Sequence, residues 1–134
     1  HLHPWCEEGF RTELAKPYSQ VLVLTDDETD EVIYGYLVFW LMFDECHILN
    51  VAVDHPFQRK GHARNLVREA VKASLKKEIR KTLLEVRKSN VAAIQLYQSL
   101  GFVITHVRKN FYPDGEEAYA MALYLNEDDP KLEF

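Results

Sequence analysis

Chemistry-bearing residues concentrate between Asn50 and Arg64, where Asn50-Val51-Ala52-Val53-Asp54-His55-Pro56-Phe57-Gln58 runs into Arg59-Lys60-Gly61-His62-Ala63-Arg64. The pattern reads as the end of a strand, a basic turn containing a glycine, and the start of a helix. Such a turn exposes backbone N–H groups at a helix N-terminus, where they and the helix dipole hold a phosphate. Gly61 and Ala63 let the backbone approach closely, while Arg59, Lys60 and Arg64 add positive charge. One glycine after a strand is also common in ordinary loops, so the turn by itself does not establish an anion site. A second stretch, Leu84-Glu85-Val86-Arg87-Lys88-Ser89-Asn90, continues to Tyr97 and Gly101. It carries a carboxylate and a phenol, both able to exchange protons. Taken alone, Glu85 reads as an ion-pair partner of Arg87 or Lys88, and Tyr97 as a core aromatic beside Ala93 and Leu100.

The elements that must position these groups follow from periodicity. A short helix starts at Pro4-Trp5 and stops before Pro17, because Lys16 is biased away from helix by the proline after it. Gln20–Leu24 is expected to be a strand and Thr25–Asp30 an acidic turn. Val32–Phe43 is aromatic and β-branched, which favours a strand, and Cys46–Val53 pairs with it across Asp44-Glu45. Ala63, Leu66, Val67, Ala70, Val71 and Leu75 then recur at helical spacing, giving a helix over 61–77. Thr82–Val86 is a short strand. Ser89 or Asn90 caps a helix carrying Ala93, Leu96, Tyr97 and Leu100, which Gly101 ends in a left-handed conformation. Phe102–Arg108 and Ala118–Leu125 close the chain as a hairpin around Tyr112-Pro113-Asp114-Gly115. The result is one mixed α/β domain over 1–134, without repeats or a low-complexity linker.

Composition narrows the function classes. A chain of 134 residues with 47% hydrophobic residues suits a single domain with an ordinary core. The longest apolar run, Val32–Phe43, is 12 residues, short of the roughly 20 that a membrane helix needs. No signal peptide is legible in His1–Phe10. Cys6 and Cys46 form neither a disulfide framework nor a metal-ligand spacing, and the six histidines are scattered. No metal and a cytoplasmic location are therefore expected. Residues 59–88 hold eleven Lys/Arg against Glu69, Glu78 and Glu85, a segment charge of +8 within a chain of −5. A basic patch on an acidic protein points to an anionic ligand, and without interleaved aromatics it does not point to nucleic acid.

In combination the segments become specific. Gln58-x-x-Gly61-x-Ala63 resembles the Q/R-x-x-G-x-G/A pyrophosphate loop of the GNAT acetyltransferases. Leu84-Glu85-Val86-x-x-x-Asn90, followed by Ala93-x-x-Leu96-Tyr97-x-x-Leu100-Gly101-Phe102, resembles their second cofactor motif. The likeness covers about Leu49 to Leu125. Within the superfamily the sequence is most similar to the Rim-type branch, the bacterial ribosomal-protein-alanine N-acetyltransferases. That likeness lies in Pro4-Trp5, Asn50–Asp54, Leu84-Glu85-Val86-Arg87 and Asn110-Phe111-Tyr112-Pro113. Archaeal and eukaryotic N-terminal acetyltransferases are similar through Tyr112, Asp114-Gly115-Glu116 and Ala118–Met121. The resemblance also implies one further strand and a helix start ahead of these residues, which this sequence lacks. Part of the acceptor pocket and the sheet edge depend on them.

The resemblance implies acetyl-CoA as cosubstrate and assigns roles. Glu85 would be the general base, acting through water, and Tyr97 would protonate the departing sulfur. Val51, Ala52 and Val53 would align the pantetheine arm and the acetyl carbonyl along a splayed strand. Gln58, Arg59, Lys60, Gly61, His62, Ala63 and Arg64 would hold the phosphates. Asn90 would bond the pantetheine, although a helix cap explains it as well. Trp5 and Tyr112 would border the acceptor. An α-amine, with a pKa near 8 against about 10.4 for lysine, is easier to deprotonate by roughly 3 kcal/mol. This favours a protein or peptide N-terminus, such as that of a ribosomal protein, and Tyr112, Asp114, Glu116 and Glu117 could receive a basic peptide. Two alternatives stay open: transfer to a lysine or small amine, and an acetyl-CoA-binding module without catalysis. Oligomeric state is not legible.

Overall fold

A computed structural model gives the fold, and the structure describes residues 7–25 and 32–126. The expected helix start at Pro4-Trp5, Cys6 and the acidic turn over 26–30 lie outside the described residues. The elements are α1 (Glu7–Leu14), β1 (Ser19–Thr25), β2 (Ile33–Met42), β3 (Glu45–Val53), α2 (His62–Leu75), β4 (Lys81–Arg87), α3 (Val91–Ser99), β5 (Val103–Arg108) and β6 (Ala118–Tyr124). Every element expected within the described residues is present. The expected helix over 61–77 ends two residues early. Glu78 turns left-handed at φ 62°, and the Ile79 N–H returns to the Ser74 carbonyl at 3.0 Å, which buries Ile79. Phe102 packs in the core instead of starting β5.

Six strands form one mixed sheet in the order β1-β2-β3-β4-β6-β5. All neighbours are antiparallel except β3 and β4. Alternation along β2 sends Leu37 and Phe39 to one face and Tyr36, Val38 and Trp40 to the other. The first face carries the core: Leu37, Phe39, Cys46, Ile48, Leu84, Val86, Met121 and Leu123 pack with Leu66, Val67, Ala70 and Val71 of α2 and with Tyr97 and Leu100. The α2 periodicity therefore marks its buried side. On the second face α1 is tied to the sheet by buried Glu13, whose carboxylate accepts from Trp40 Nε1 and Ser19 Oγ at 2.8 Å and Lys16 Nζ at 2.7 Å. Cys46 is fully buried, and burial pushes its thiol up to about 12 despite a hydrogen bond with Thr82. It is structural.

The feature that positions the site is a split in the sheet. β3 and β4 pair only at Cys46↔Thr82, His47↔Leu83 and Ile48↔Leu84. The next residue of β3, Leu49, is extra in the β2–β3 register: Val38 faces Asn50 while Phe39 faces Ile48. A bulge bends the strand that carries it, so Asn50–Val53 follow β2 while Glu85–Arg87 follow β6. Gly35 lets β2 stay with the bent strand. A Cβ there would stand 2.6 Å from the Ala52 carbonyl oxygen, so any larger residue would push away the strand bordering the split.

Candidate active site

The split opens into a cleft of about 450 Å³ between the end of β3, the start of α2 and α3. Its walls bring together Val51, Val53, Gln58, Arg59, Gly61, His62, Ala63, Arg64, Asn90 and Tyr97, all expected from the sequence to serve the cofactor or the chemistry. Glu85 and Tyr112 do not line it, nor do two of the residues expected at the cofactor. Ala52 faces Tyr36 across the ladder, so alternation turns its side chain to the opposite side of β3 from Val51 and Val53. Lys60 is exposed in the turn, outside the cleft wall. Trp5 lies outside the described residues.

The basic turn has the geometry of an anion site. Gly61 is the N-cap of α2 with φ 81°, a left-handed conformation that costs a residue with a Cβ about 1–2 kcal/mol. A Cβ there would meet nothing within 4 Å, so the turn leaves open space at the helix end. The first intrahelical bond runs from Asn65 N–H to the Gly61 carbonyl at 3.0 Å. The N–H groups of residues 61–64 therefore precede the helical ladder and face the cleft end. Gln58 fixes the turn to the strand, its Nε2 donating to the Val53 carbonyl at 3.0 Å. Arg64 behaves differently from expectation. Its Nη2 donates to Ser99 Oγ at 2.6 Å, so it braces α2 against α3 as well as adding charge. Open space, free N–H donors and basic side chains suit a pyrophosphate, and Val51 and Val53 give an apolar wall for an aliphatic arm.

Asn90 caps α3, its Oδ1 accepting from Ala93 N–H at 3.2 Å. That leaves the amide NH₂ as a donor at the cleft, so cap and ligand roles are compatible. Phe57, Ala92, Ala93 and Leu96 also line the cleft. Phe57 is one that sequence reading missed: it stacks 4.4 Å from Tyr34, which lies 5.4 Å from His62. The missed signal was the distance in sequence between Tyr34 and the turn.

Tyr97 and Glu85 sit on different sides of β4. Leu84 and Val86 point into the core, and Glu85 points the other way, beside Ala120 of β6. Burial pushes the Tyr97 phenol up to about 12, and nearby Tyr112 adds to the rise, so the hydroxyl stays protonated at neutral pH. Glu85 is exposed, with 36% of its side chain accessible. Its ion partner is Arg108, at 3.7 Å, not Arg87 or Lys88.

Tyr112 interacts electrostatically with both. Burial raises its phenol, Arg87 opposes this, and Glu85 and Glu116 raise it further. It thus stands within electrostatic reach of both Glu85 and Tyr97. The carboxylates around it, which the sequence suggested could receive a basic peptide, are engaged in ion pairs. Arg87 Nη1 contacts Asp114 Oδ2 and Glu116 Oε1 at 2.9 Å, and Lys88 Nζ contacts Glu117 Oε1 at 3.2 Å. The cause is proximity: the 112–117 turn folds back over the end of β4.

Comparison with known proteins agrees with this geometry. Residues 1–102 match the Acetyltransferase (GNAT) family. The chain is 38% identical to the ribosomal protein bS18 alanine N-acetyltransferase of Haemophilus ducreyi over 129 residues, covering 93% of this chain and 86% of the relative. Against the enzyme of the same name from Salmonella typhimurium the identity is 35%, covering 94% and 84%. The crystal structure of the ribosomal-protein-S18-alanine N-acetyltransferase from Escherichia coli superposes with a TM-score of 0.81 at 34% identity, covering 96% of this chain and 84% of that one. The fold is thus shared with these enzymes, and the chain belongs to the GNAT family as an acetyl-CoA-dependent N-acetyltransferase.

Proposed function

We propose that the acceptor is the N-terminal α-amine of a protein, a ribosomal protein with an N-terminal alanine being the best candidate. The observation that carries this reading is the similarity, at 35–38% identity over more than nine tenths of the chain, to enzymes named for that acceptor. The chemistry agrees: an α-amine is easier to deprotonate than lysine by roughly 3 kcal/mol, within the means of a single carboxylate. The pairing of Asp114, Glu116 and Glu117 with Arg87 and Lys88 argues against a polycationic small amine, since two cations already offset two of the three carboxylate charges that would attract it.

In this reading, acetyl-CoA supplies a thioester whose carbonyl carbon the amine attacks and whose sulfur departs. The α2 turn, with Gln58, Arg59, Gly61, His62, Ala63 and Arg64, binds the phosphates, and Val51, Val53 and Asn90 guide the arm. Glu85 removes the proton from the amine through water, its exposed carboxylate being open to solvent. Tyr97 holds its proton at neutral pH and delivers it to the sulfur. The test is release of free thiol with an Ala-Arg-initiated peptide beside its N-terminally blocked twin. Thiol release with the free peptide alone supports the reading. Equal release with both, or release only with a lysine peptide or a small amine, overturns it.

A further inference from the structure

We propose that Arg87 is a positioning residue for the acceptor: its guanidinium fastens the 112–117 turn onto the end of β4 and so holds Tyr112 over the open end of the split. The proposal rests on the acceptor reading above.

One guanidinium serves three partners. Nη1 donates to Asp114 and to Glu116, and the guanidinium carbon lies 4.0 Å from the centre of the Tyr112 ring. The turn is closed internally: Gly115 N–H donates to the Tyr112 carbonyl at 2.8 Å, Tyr112 N–H to the Glu116 carbonyl at 3.2 Å, and Glu116 N–H to Asp114 Oδ1 at 3.0 Å. The second oxygen of Glu116 accepts Ser89 N–H at 2.9 Å, immediately before the Asn90 cap of the helix bearing Tyr97. Backbone adds to the seam, Lys88 N–H donating to the Glu117 carbonyl at 3.1 Å.

Two consequences follow. Arg87 and Glu85 alternate onto the same face of β4, opposite Ala118 and Ala120 of β6, so the clamp sits one residue pair from the base. Exposed ion pairs taken singly contribute little. Here the pairs share one cation and one carboxylate that also bonds the backbone, so removing Arg87 releases the turn at several points together. A lysine reproduces this only in part, because its ammonium can reach the carboxylates but lacks the planar guanidinium that lies 4.0 Å from the centre of the Tyr112 ring.

The test uses the full chain with Arg87→Gln, Arg87→Lys, and the double variant Asp114→Asn with Glu116→Gln. Steady-state kinetics with the Ala-initiated peptide are read beside acetyl-CoA affinity by calorimetry and hydrogen exchange at the 112–117 amides. Arg87→Gln and the double variant should each raise peptide KM about tenfold, more than they lower kcat, with acetyl-CoA affinity within about twofold. Arg87→Lys should recover only part of the loss. Unchanged exchange and unchanged peptide KM in Arg87→Gln overturn the clamp even if the wild type acetylates the peptide. An equal loss of acetyl-CoA affinity also overturns it, since the residue would then be generally structural. Faster exchange in a protein whose wild type ignores peptide N-termini supports the clamp and overturns the acceptor reading alone.

Discussion

Phe102 donates its N–H to the Tyr97 carbonyl at 3.0 Å, and its ring lies 5.7 Å from the Tyr97 ring. With Gly101 N–H donating to the Gln98 carbonyl at 3.0 Å, this closes α3 in a Schellman motif, the C″ residue packing back onto C3. The termination of the helix therefore also fixes the phenol. Tyr97→Phe keeps this packing and removes only the hydroxyl. It should lower kcat by about a hundredfold with acetyl-CoA affinity little changed. Because the phenol is held up to about 12, its loss should lower the plateau of the pH–rate profile without moving the alkaline midpoint. A midpoint that moves with Tyr97→Phe would assign that ionisation to Tyr97 and contradict the account.

Glu85→Gln keeps the shape of the side chain and removes the base. Turnover should fall about 10²- to 10⁴-fold while acetyl-CoA still binds. Calorimetry beside single-turnover kinetics separates the two. A comparable loss of cofactor affinity would make Glu85 a structural partner of Arg108 instead.

At the phosphate turn, Gly61→Val places a β-branched residue at φ 81° and adds bulk in the space left for the ligand. Sequence alone suggests crowding; the geometry adds backbone strain of about 1–2 kcal/mol. Acetyl-CoA affinity should drop at least tenfold, with a modest fall in Tm. Unchanged affinity would remove the turn from the cofactor site.

Glu13 makes a prediction about stability. Burial works against its charge, but the hydrogen bonds from Lys16, Trp40 and Ser19 outweigh it and hold the carboxyl below its ordinary value. A carboxyl lowered in the folded state stabilises the fold above its unfolded pKa, and that contribution is lost as pH falls through the folded one. Glu13→Ala leaves the buried donors of Trp40 and Ser19 without their acceptor, costing about 1–3 kcal/mol at neutral pH. Urea melts at pH 7 and at acid pH should show the difference shrinking at the lower value. A difference that grows in acid would contradict the assignment.

The site was legible where chemistry follows the chain locally. Gln58 to Arg64 and Asn90 to Gly101 each place their residues within one turn or one helix, so residue type and period suffice. The Leu49 bulge was not legible, because an extra residue in a strand changes no composition and shows only against its partner strand. The ion-pair partner of Glu85 was not legible, since Arg108 reaches it from β5, 23 positions along. Arg87, Asp114 and Glu116 were each visible, but their pairing depends on a hairpin folding back over β4.

The most direct test of the central claim is the position of the acetyl group on a peptide that begins with alanine and carries an internal lysine. After incubation with acetyl-CoA and the full chain, fragmentation mass spectrometry locates it. The account predicts acetyl on the alanine α-amine, absent with Glu85→Gln. Acetyl on the lysine, or on the alanine at an undiminished rate in Glu85→Gln, would contradict it.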